Sequence, residues 1–366
     1  MYKLEPGEYN LGWNFLGGLD IHLTVKALVE GNSPGEIFLD DKAAPQSMFA
    51  RTMKRCYLAG KHDNQQFNQQ LKQYFEKELF PQGINKGEQG FSLFYAPGEW
   101  GPVIPKHLLD EIYPQDQHQY YRCKKLSGNW RKVLPEGYNL VEVDKALVEN
   151  EALGSYADLI EEIHSECQTV PEFLEHRFGY CILQGDQIIT WCLSEYNSGE
   201  RCEVGIATHP DHRRKGLATT ASLALVEKAL AMGYHELGWH CYAGNEGSIA
   251  TALAGGFEMV SDYPAFWVSY DRAIAMGVQG NQQIARQAHQ EVVEWYLRAI
   301  AEKSAPAWVY WNTACAFAHL DEKDKAFEFL HRAVDNGFTD ADHIKNSPHF
   351  EQWHGSEEWE SLLKRL

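Results

Sequence analysis

The sequence predicts an α/β fold built on a mixed sheet with flanking helices, preceded by a second α/β segment and followed by an all-helical one. Three observations predict it. Residues 203–208 form a short apolar strand that runs through a basic, glycine-containing turn straight into a helix. The apolar runs 178–183 and 187–196, joined at Gly185 and Asp186, read as a hairpin immediately before that strand. Past residue 275 only helical spacing remains. A chain of 366 residues is long for one core, and 44% hydrophobic with 13% aromatic residues is enough to fill two or three. The expected divisions are 1–136, 137–275 and 276–366.

Charge narrows the partners. Thirty-three Lys+Arg against 51 Asp+Glu give a net charge of −18, which repels nucleic acid and anionic membranes and favours cations. Arg213, Arg214 and Lys215 reverse that field locally, where an anionic ligand can be retained. The 8 cysteines form no Cys-x-x-Cys pair, and several sit in strand-like apolar runs, as buried free thiols do. The first residues carry no apolar signal region, and no run approaches the roughly 18 apolar residues of a spanning helix. A reducing cytoplasm is the expected compartment.

In chain order, Trp13, Phe15, Leu16, Leu19, Leu23, Val25 and Leu28 suggest one helix with an apolar stripe. Strands are expected at 35–41, within 48–58, and at 91–95 and 119–125, with helices at 64–80 and 105–113. The strand, strand, helix order here echoes that around 203–232, but the turn 60–64 lacks the basic glycine pattern. The first 136 residues therefore read as a degenerate copy of the segment 137–275, with an unrelated α/β cap as the other reading. A linker lies at 134–137. The next expected elements are a strand at 139–143, helices at 145–153 and 156–167, and the hairpin. The motif helix 217–232 ends at the C′ residue Gly233. Strands at 236–241 and 266–270 complete the sheet, and amphipathic helices over 282–301 and beyond Pro306 complete the chain. In the last stretch, Tyr310, Ala314 and Phe317 followed by Ala326, Leu330 and Ala333 resemble one tetratricopeptide repeat, with Phe338 near the place of the usual closing proline. One such hairpin cannot bury its own face, which favours a scaffold role over peptide capture.

The motif Arg213-x-x-Gly216-x-Ala218 resembles the Arg/Gln-x-x-Gly-x-Gly/Ala signature of the GNAT acetyltransferase superfamily. Asn245-Glu-Gly-Ser248, followed by Gly256-Phe257, resembles a second block of that family. A solvated basic turn in some other α/β protein accounts for the triple charge but not for both blocks. The resemblance implies that acetyl-CoA is the co-substrate. Its pyrophosphate would lie on Arg213, Arg214, Lys215, Gly216, Leu217 and Ala218, at a helix N-terminus whose free N–H groups and dipole favour anions. Its pantetheine arm would lie along Val204 to Thr208, with Ile206, Ala207 and Thr208 as binding residues, and Asn245 and Ser248 would complete the site.

GNAT enzymes transfer acetyl directly to an amine, and an amine of pKa roughly 10 is protonated at pH 7, so a base is required. Glu203 is the candidate base and Glu195 the reserve. The general acid is expected to be a tyrosine. Counting from Asn245, the family's place for it is Ala252, so Tyr263 is the candidate and Tyr242 a second. His209-Pro-Asp-His212 lacks further ligands, and no metal is expected. A small cationic amine is the favoured acceptor and a peptide the second class. The competing function is a relic GNAT fold serving as an acyl-CoA-binding or interaction scaffold.

Overall fold

The computed structural model describes residues 1–366 except Gln287 and Lys303. A 12-stranded sheet organises it, in the order β1-β2-β3-β4-β5-β12-β6-β11-β10-β9-β8-β7. The strands of the N-terminal half are β1 (Tyr2–Lys3), β2 (Glu36–Leu39), β3 (Ser47–Arg51), β4 (Arg55–Gly60), β5 (Gly90–Ala96) and β6 (Gln115–Cys123). Those of the second half are β7 (Asn139–Glu142), β8 (Gly179–Gln184), β9 (Gln187–Ser198), β10 (Arg201–Thr208), β11 (Glu236–Tyr242) and β12 (Glu258–Ser269).

The two halves repeat one plan. β3 and β4 are antiparallel and β4 and β5 parallel; β9 and β10 are antiparallel and β10 and β11 parallel. A parallel neighbour requires a crossover, supplied by the helix that begins at Gln65–Tyr74 in one half and by Leu217–Ala231 in the other. The last strand of each half crosses over. β6 pairs with β11 and β12, while β12 lies between β6 and β5.

Strand β9 feeds a core on each of its faces, its alternation shifted by the irregularity opposite Ile182 and Leu183. On β9, Ile189 and Cys192 join the helix Leu217–Ala231 through Leu217, Ala221 and Leu225, whereas Ile188 and Leu193 join the helix Tyr156–Glu166 through Leu159 and Ile163. Leu225 is fully buried, and truncating such a leucine to alanine costs about 2–5 kcal/mol. Gly233 ends the motif helix in the left-handed region at φ 93°.

Two compact units result. One comprises residues 1–70, 92–103 and 115–266; the other comprises 71–91, 104–114 and 267–366. In the second unit the helices Arg272–Ala285, His289–Ala301, Ala307–His319 and Lys323–Asp335 succeed one another. Ala314, Ala326 and Ala333 are fully buried, and Phe338 stacks on Trp311 with ring centroids 4.7 Å apart.

Some elements differ from expectation. The single helix expected near the N-terminus is a tight 3-10 segment, Pro6–Gly18, followed by the helix Leu23–Val29. Pro6 and Gly7, Gly12, Gly17 and Gly18 disfavour a continuous α-helix there. The 48–58 run is a hairpin, β3 and β4. The expected helix 282–301 crosses Gln287, which lies outside the described residues, and helices flank that point on both sides. The helix Val170–His176 was not anticipated, although Thr169 caps it by accepting from the Glu172 N–H and Pro171 opens it.

Candidate active site

The site begins where two strands part. β10 and β11 pair through Arg201↔Glu236, Cys202↔Leu237 and Glu203↔Gly238. Beyond that point β10 stays paired with β9 as far as Thr208↔Thr190, and β11 with β6 as far as Tyr242↔His118. A wedge therefore opens inside the sheet. Its apex is Glu203, where the register with β9 is irregular between Cys202 and Val204, the kind of bulge that re-aims a side chain. The cavity in the wedge measures about 330 Å³ and is lined by Val204, Gly205 and Ile206 on one side and Trp239, His240, Cys241 and Tyr242 on the other.

Glu203 is buried. Its Oε1 accepts from the Leu23 N–H at 2.6 Å and faces His240 Nε2 at 3.4 Å, and its Oε2 faces Arg55 Nη1 at 3.5 Å. Burial pushes its pKa up, but His240, Arg55 and the Leu23 N–H together outweigh it and hold the carboxyl below the usual carboxylate range. Arg55 also donates to Glu195 Oε2 at 3.0 Å and lies 3.7 Å from Glu166 Oε1. Burial drives Glu166 the other way, up to about 8. Glu162 lines the cavity with its pKa raised by burial and by Glu195. Glu195 reaches in across Gly205, where a Cβ would stand 1.7 Å from Glu195 Oε1 and could not be accommodated.

Rings form the rest of the lining. His22 lies parallel to His240 with centroids 5.2 Å apart, and His118 lies 4.2 Å from the Tyr242 ring. Burial first, then His240, depresses both His22 and His118, the latter to about 4, so both present neutral rings near pH 7. Tyr263 shares a 2.6 Å hydrogen bond with His240 Nδ1, and burial raises its phenol pKa.

The basic turn lies at the far end of β10. Arg214 and Gly216 both take left-handed backbone, at φ 60° and 78°, which curls successive N–H groups toward one side as anion-binding nests do. Gly216 is the N-cap of Leu217–Ala231 and no side chain caps that helix. A Cβ on Gly216 would meet nothing within 4 Å, so the space above the turn is open. Arg213 Nε donates to the Thr208 carbonyl at 3.2 Å and Lys215 Nζ to Tyr138 Oη at 3.4 Å. Among the described residues, none of the three cations is paired with a carboxylate. The parted strands, the open turn and the unpaired cations fit the arm and pyrophosphate of acetyl-CoA.

Among the residues expected in the site, Glu203, Ile206, Asn245, Ser248 and Tyr263 line one cavity. Thr208 Oγ1 lies 3.0 Å from Thr190 Oγ1 at the end of β10, with Ala207 beside it. The Leu217 side chain belongs to the core, leaving its N–H as the group that can face a ligand. Asn245 Oδ1 accepts from the Ser248 N–H, and Ser248 Oγ accepts from Trp239 Nε1, so both side chains are engaged within the fold. Ala252 is fully buried. Sequence reasoning passed over His22, Arg55 and His118. The one available signal was Arg55, a lone cation opening an otherwise apolar strand, because a charge at such a position needs partners.

A family model described as GNAT acetyltransferase matches residues 14–266. That span takes in β2 to β11 and most of β12, on both sides of the strand exchange. The chain is 25% identical over 245 residues to an uncharacterized N-acetyltransferase, YdfB, of Bacillus subtilis strain 168, covering 66% of this chain and 89% of that protein. It shares its fold with the crystal structure of a GCN5-related N-acetyltransferase-like protein from Streptococcus suis 89/1591, at 22% identity and a TM-score of 0.54 over 72% of this chain and 99% of that one.

Proposed function

Because the chain belongs to the GNAT acetyltransferase family, we propose that its second half is an acetyl-CoA-dependent N-acetyltransferase site acting by direct transfer on a small cationic amine. The observation that carries this reading is the wedge past Glu203↔Gly238, with a buried carboxylate at its apex and an open basic turn at the end of β10. Acetyl-CoA, when bound, supplies an acetyl group activated as a thioester. Arg213, Arg214, Lys215 and the N–H groups from Gly216 to Ala218 would hold its pyrophosphate, and Val204 to Thr208 its arm.

Glu203 is the proposed base. Its lowered pKa keeps it ionised at neutral pH, but such a carboxylate is a weak base toward an ammonium of pKa near 10. The amine therefore binds as its neutral fraction, its lone pair attacks the thioester carbonyl, and Glu203 receives an N–H proton as the C–N bond forms and the nitrogen becomes acidic. Tyr263, protonated through the ordinary pH range because burial raises its phenol pKa, is the proposed proton donor to the thiolate that departs as the C–S bond breaks. Glu162 and Glu195 on the cavity wall favour a cationic acceptor over an anionic one.

The N-terminal half is proposed as a GNAT-like copy that has lost its cofactor site. The support is that β4 and β5 stay paired from Arg55↔Ser92 to Ala59↔Ala96, leaving no wedge like that between β10 and β11. The C-terminal helices are proposed as a tetratricopeptide-like scaffold. Buried free cysteines support a reducing compartment, for which the cytoplasm is proposed, and no helix among the described residues is long and apolar enough to cross a membrane.

A second reading, an acyl-CoA-binding scaffold without turnover, is favoured by alanine at the family's tyrosine place and by the internal engagement of Asn245 and Ser248. Incubating the pure protein with acetyl-CoA and a panel of diamines, polyamines, amino sugars and lysine peptides, reading thiol release, separates the two. Turnover of small amines supports the enzyme; turnover of peptides alone overturns the small-amine acceptor; binding of acetyl-CoA with no turnover favours the scaffold. The protein's own 8 cysteines are buried, which keeps the thiol background low.

A further inference from the structure

We infer that Arg55, contributed by the N-terminal half, is a positioning residue for acetyl transfer, fixing the Glu203 and Glu195 carboxylates at the apex of the wedge. The inference rests on the reading of Glu203 as the base. Arg55 opens β4, and its backbone is held in place by pairing with Ser92 on β5. Its fork is divided between carboxylates: Nη1 faces Glu203 Oε2 at 3.5 Å and Nη2 donates to Glu195 Oε2 at 3.0 Å. Nη1 also donates to Thr24 Oγ1 at 3.1 Å, and the guanidinium carbon lies 5.0 Å from the centre of the Tyr196 ring. Planar geometry, several donors and a ring to stack on are what arginine supplies and lysine does not.

The charge balance explains why one cation matters here. Glu162, Glu166, Glu195 and Glu203 surround Arg55; Lys54 also acts on Glu162 and Arg177 on Glu166, and Arg55 is the guanidinium that touches both Glu195 and Glu203. Without it, Glu195 would lose its ion-pair partner and Glu203 would keep only His240 and the Leu23 N–H beside its carboxyl, which would then take up a proton at higher pH. The other groups facing Glu203 are His240 on β11, Tyr120 on β6, Tyr263 on β12, Tyr57 on β4 and Arg201 on β10. Of these, Arg201 is already bound to Glu236, with Nε 3.1 Å from its Oε1. Arg55 thus gives the N-terminal half a part in the reaction although that half has no wedge of its own.

The test is Arg55→Met and Arg55→Lys, with three readouts: acetyl-CoA affinity by calorimetry, the Glu203 carboxyl resonance in glutamate-13C protein across pH, and kcat/KM against pH with the best amine of the panel. The expected result is acetyl-CoA affinity within about twofold of the parent, and a Glu203 titration moved up by about one pH unit or more in Arg55→Met. kcat/KM falls about ten- to a hundredfold and its acid-side break moves with the resonance; Arg55→Lys recovers part of both. An unmoved resonance overturns the inference, as does a rate loss equal at every pH. If Arg55→Met fails to fold, Arg55→Lys decides alone: its Glu203 resonance must shift upward with affinity kept. The resonance needs no turnover, so a protein that acetylates no amine removes the enzyme reading separately from the effect of Arg55.

Discussion

Tyr263 Oη and His240 Nδ1 share a 2.6 Å hydrogen bond, from β12 to β11, across the intervening strand β6. On the other side of the ring, His240 Nε2 lies 3.1 Å from the Ile21 carbonyl and 3.4 Å from Glu203 Oε1, both acceptors, so Nε2 carries a proton. Glu203, His240 and Tyr263 thereby form one continuous polar chain along the wall of the wedge.

Tyr263→Phe removes the last member of that chain and leaves Nδ1 without its hydrogen-bond partner. kcat is expected to fall about a hundredfold, with acetyl-CoA affinity unchanged by calorimetry. Burial raises the phenol pKa, so no alkaline break from Tyr263 is expected below pH 10 in the parent profile. A Tyr263→Phe enzyme with parental kcat would exclude the residue as proton donor.

Glu203→Gln should leave acetyl-CoA affinity intact and lower kcat/KM at pH 7 by about a hundredfold or more. Partial recovery is expected at pH 9 to 10, where free amine is more abundant. Steady-state rates over that range check it, and a loss in Glu195→Gln but not in Glu203→Gln would move the role to Glu195.

At the basic turn, Gly216→Asp combines a side chain in left-handed backbone with an anion in the open space proposed for pyrophosphate. Affinity for acetyl-CoA is expected to fall at least a hundredfold by calorimetry. Gly216→Asn, which tolerates the same backbone without the charge, should lose far less. Equal losses in the two variants would trace the effect to backbone strain.

Glu166 predicts a stability change with the opposite sign to that of most acids. Its folded pKa is raised to about 8 by burial, against about 4.3 in the unfolded chain, so between those values the folded state holds a proton that the unfolded state has lost. Its contribution is fully present below pH 4.3 and is lost as pH rises through 8. Glu203, with its pKa lowered, works the other way and loses its contribution only in acid. Thermal melts from pH 5 to 9 should therefore show Tm declining in the parent, with a shallower decline in Glu166→Gln. Parallel curves would place the Glu166 pKa near its ordinary value.

What the sequence made legible was local. The strand, turn and helix around Gly216 are contiguous, and the turn chemistry at Arg214 and Gly216 is written in residues that touch each other. The hairpin of β8 and β9 was readable for the same reason. Pairing between distant strands was not, because alternation says which face a residue takes but not which strand lies beside it. Nothing near residue 123 announces that β6 will lie against β11, and nothing near Arg55 announces Glu203, 148 positions away. The carboxylate was found from its strand; the cation that holds it could only be found in the folded chain.

The exchanged strands also set a timetable for synthesis. β5 and β6 leave the ribosome early, yet β12, the strand that belongs between them, begins at Glu258, after the intervening residues 124–257 have been made. At 5–20 residues per second that interval lasts roughly seven to twenty-seven seconds. Throughout it the nascent N-terminal half displays an unpaired edge on β5, where another strand could pair. A chain of this design completes neither half until its second half is nearly translated, so its dependence on chaperones falls in that window.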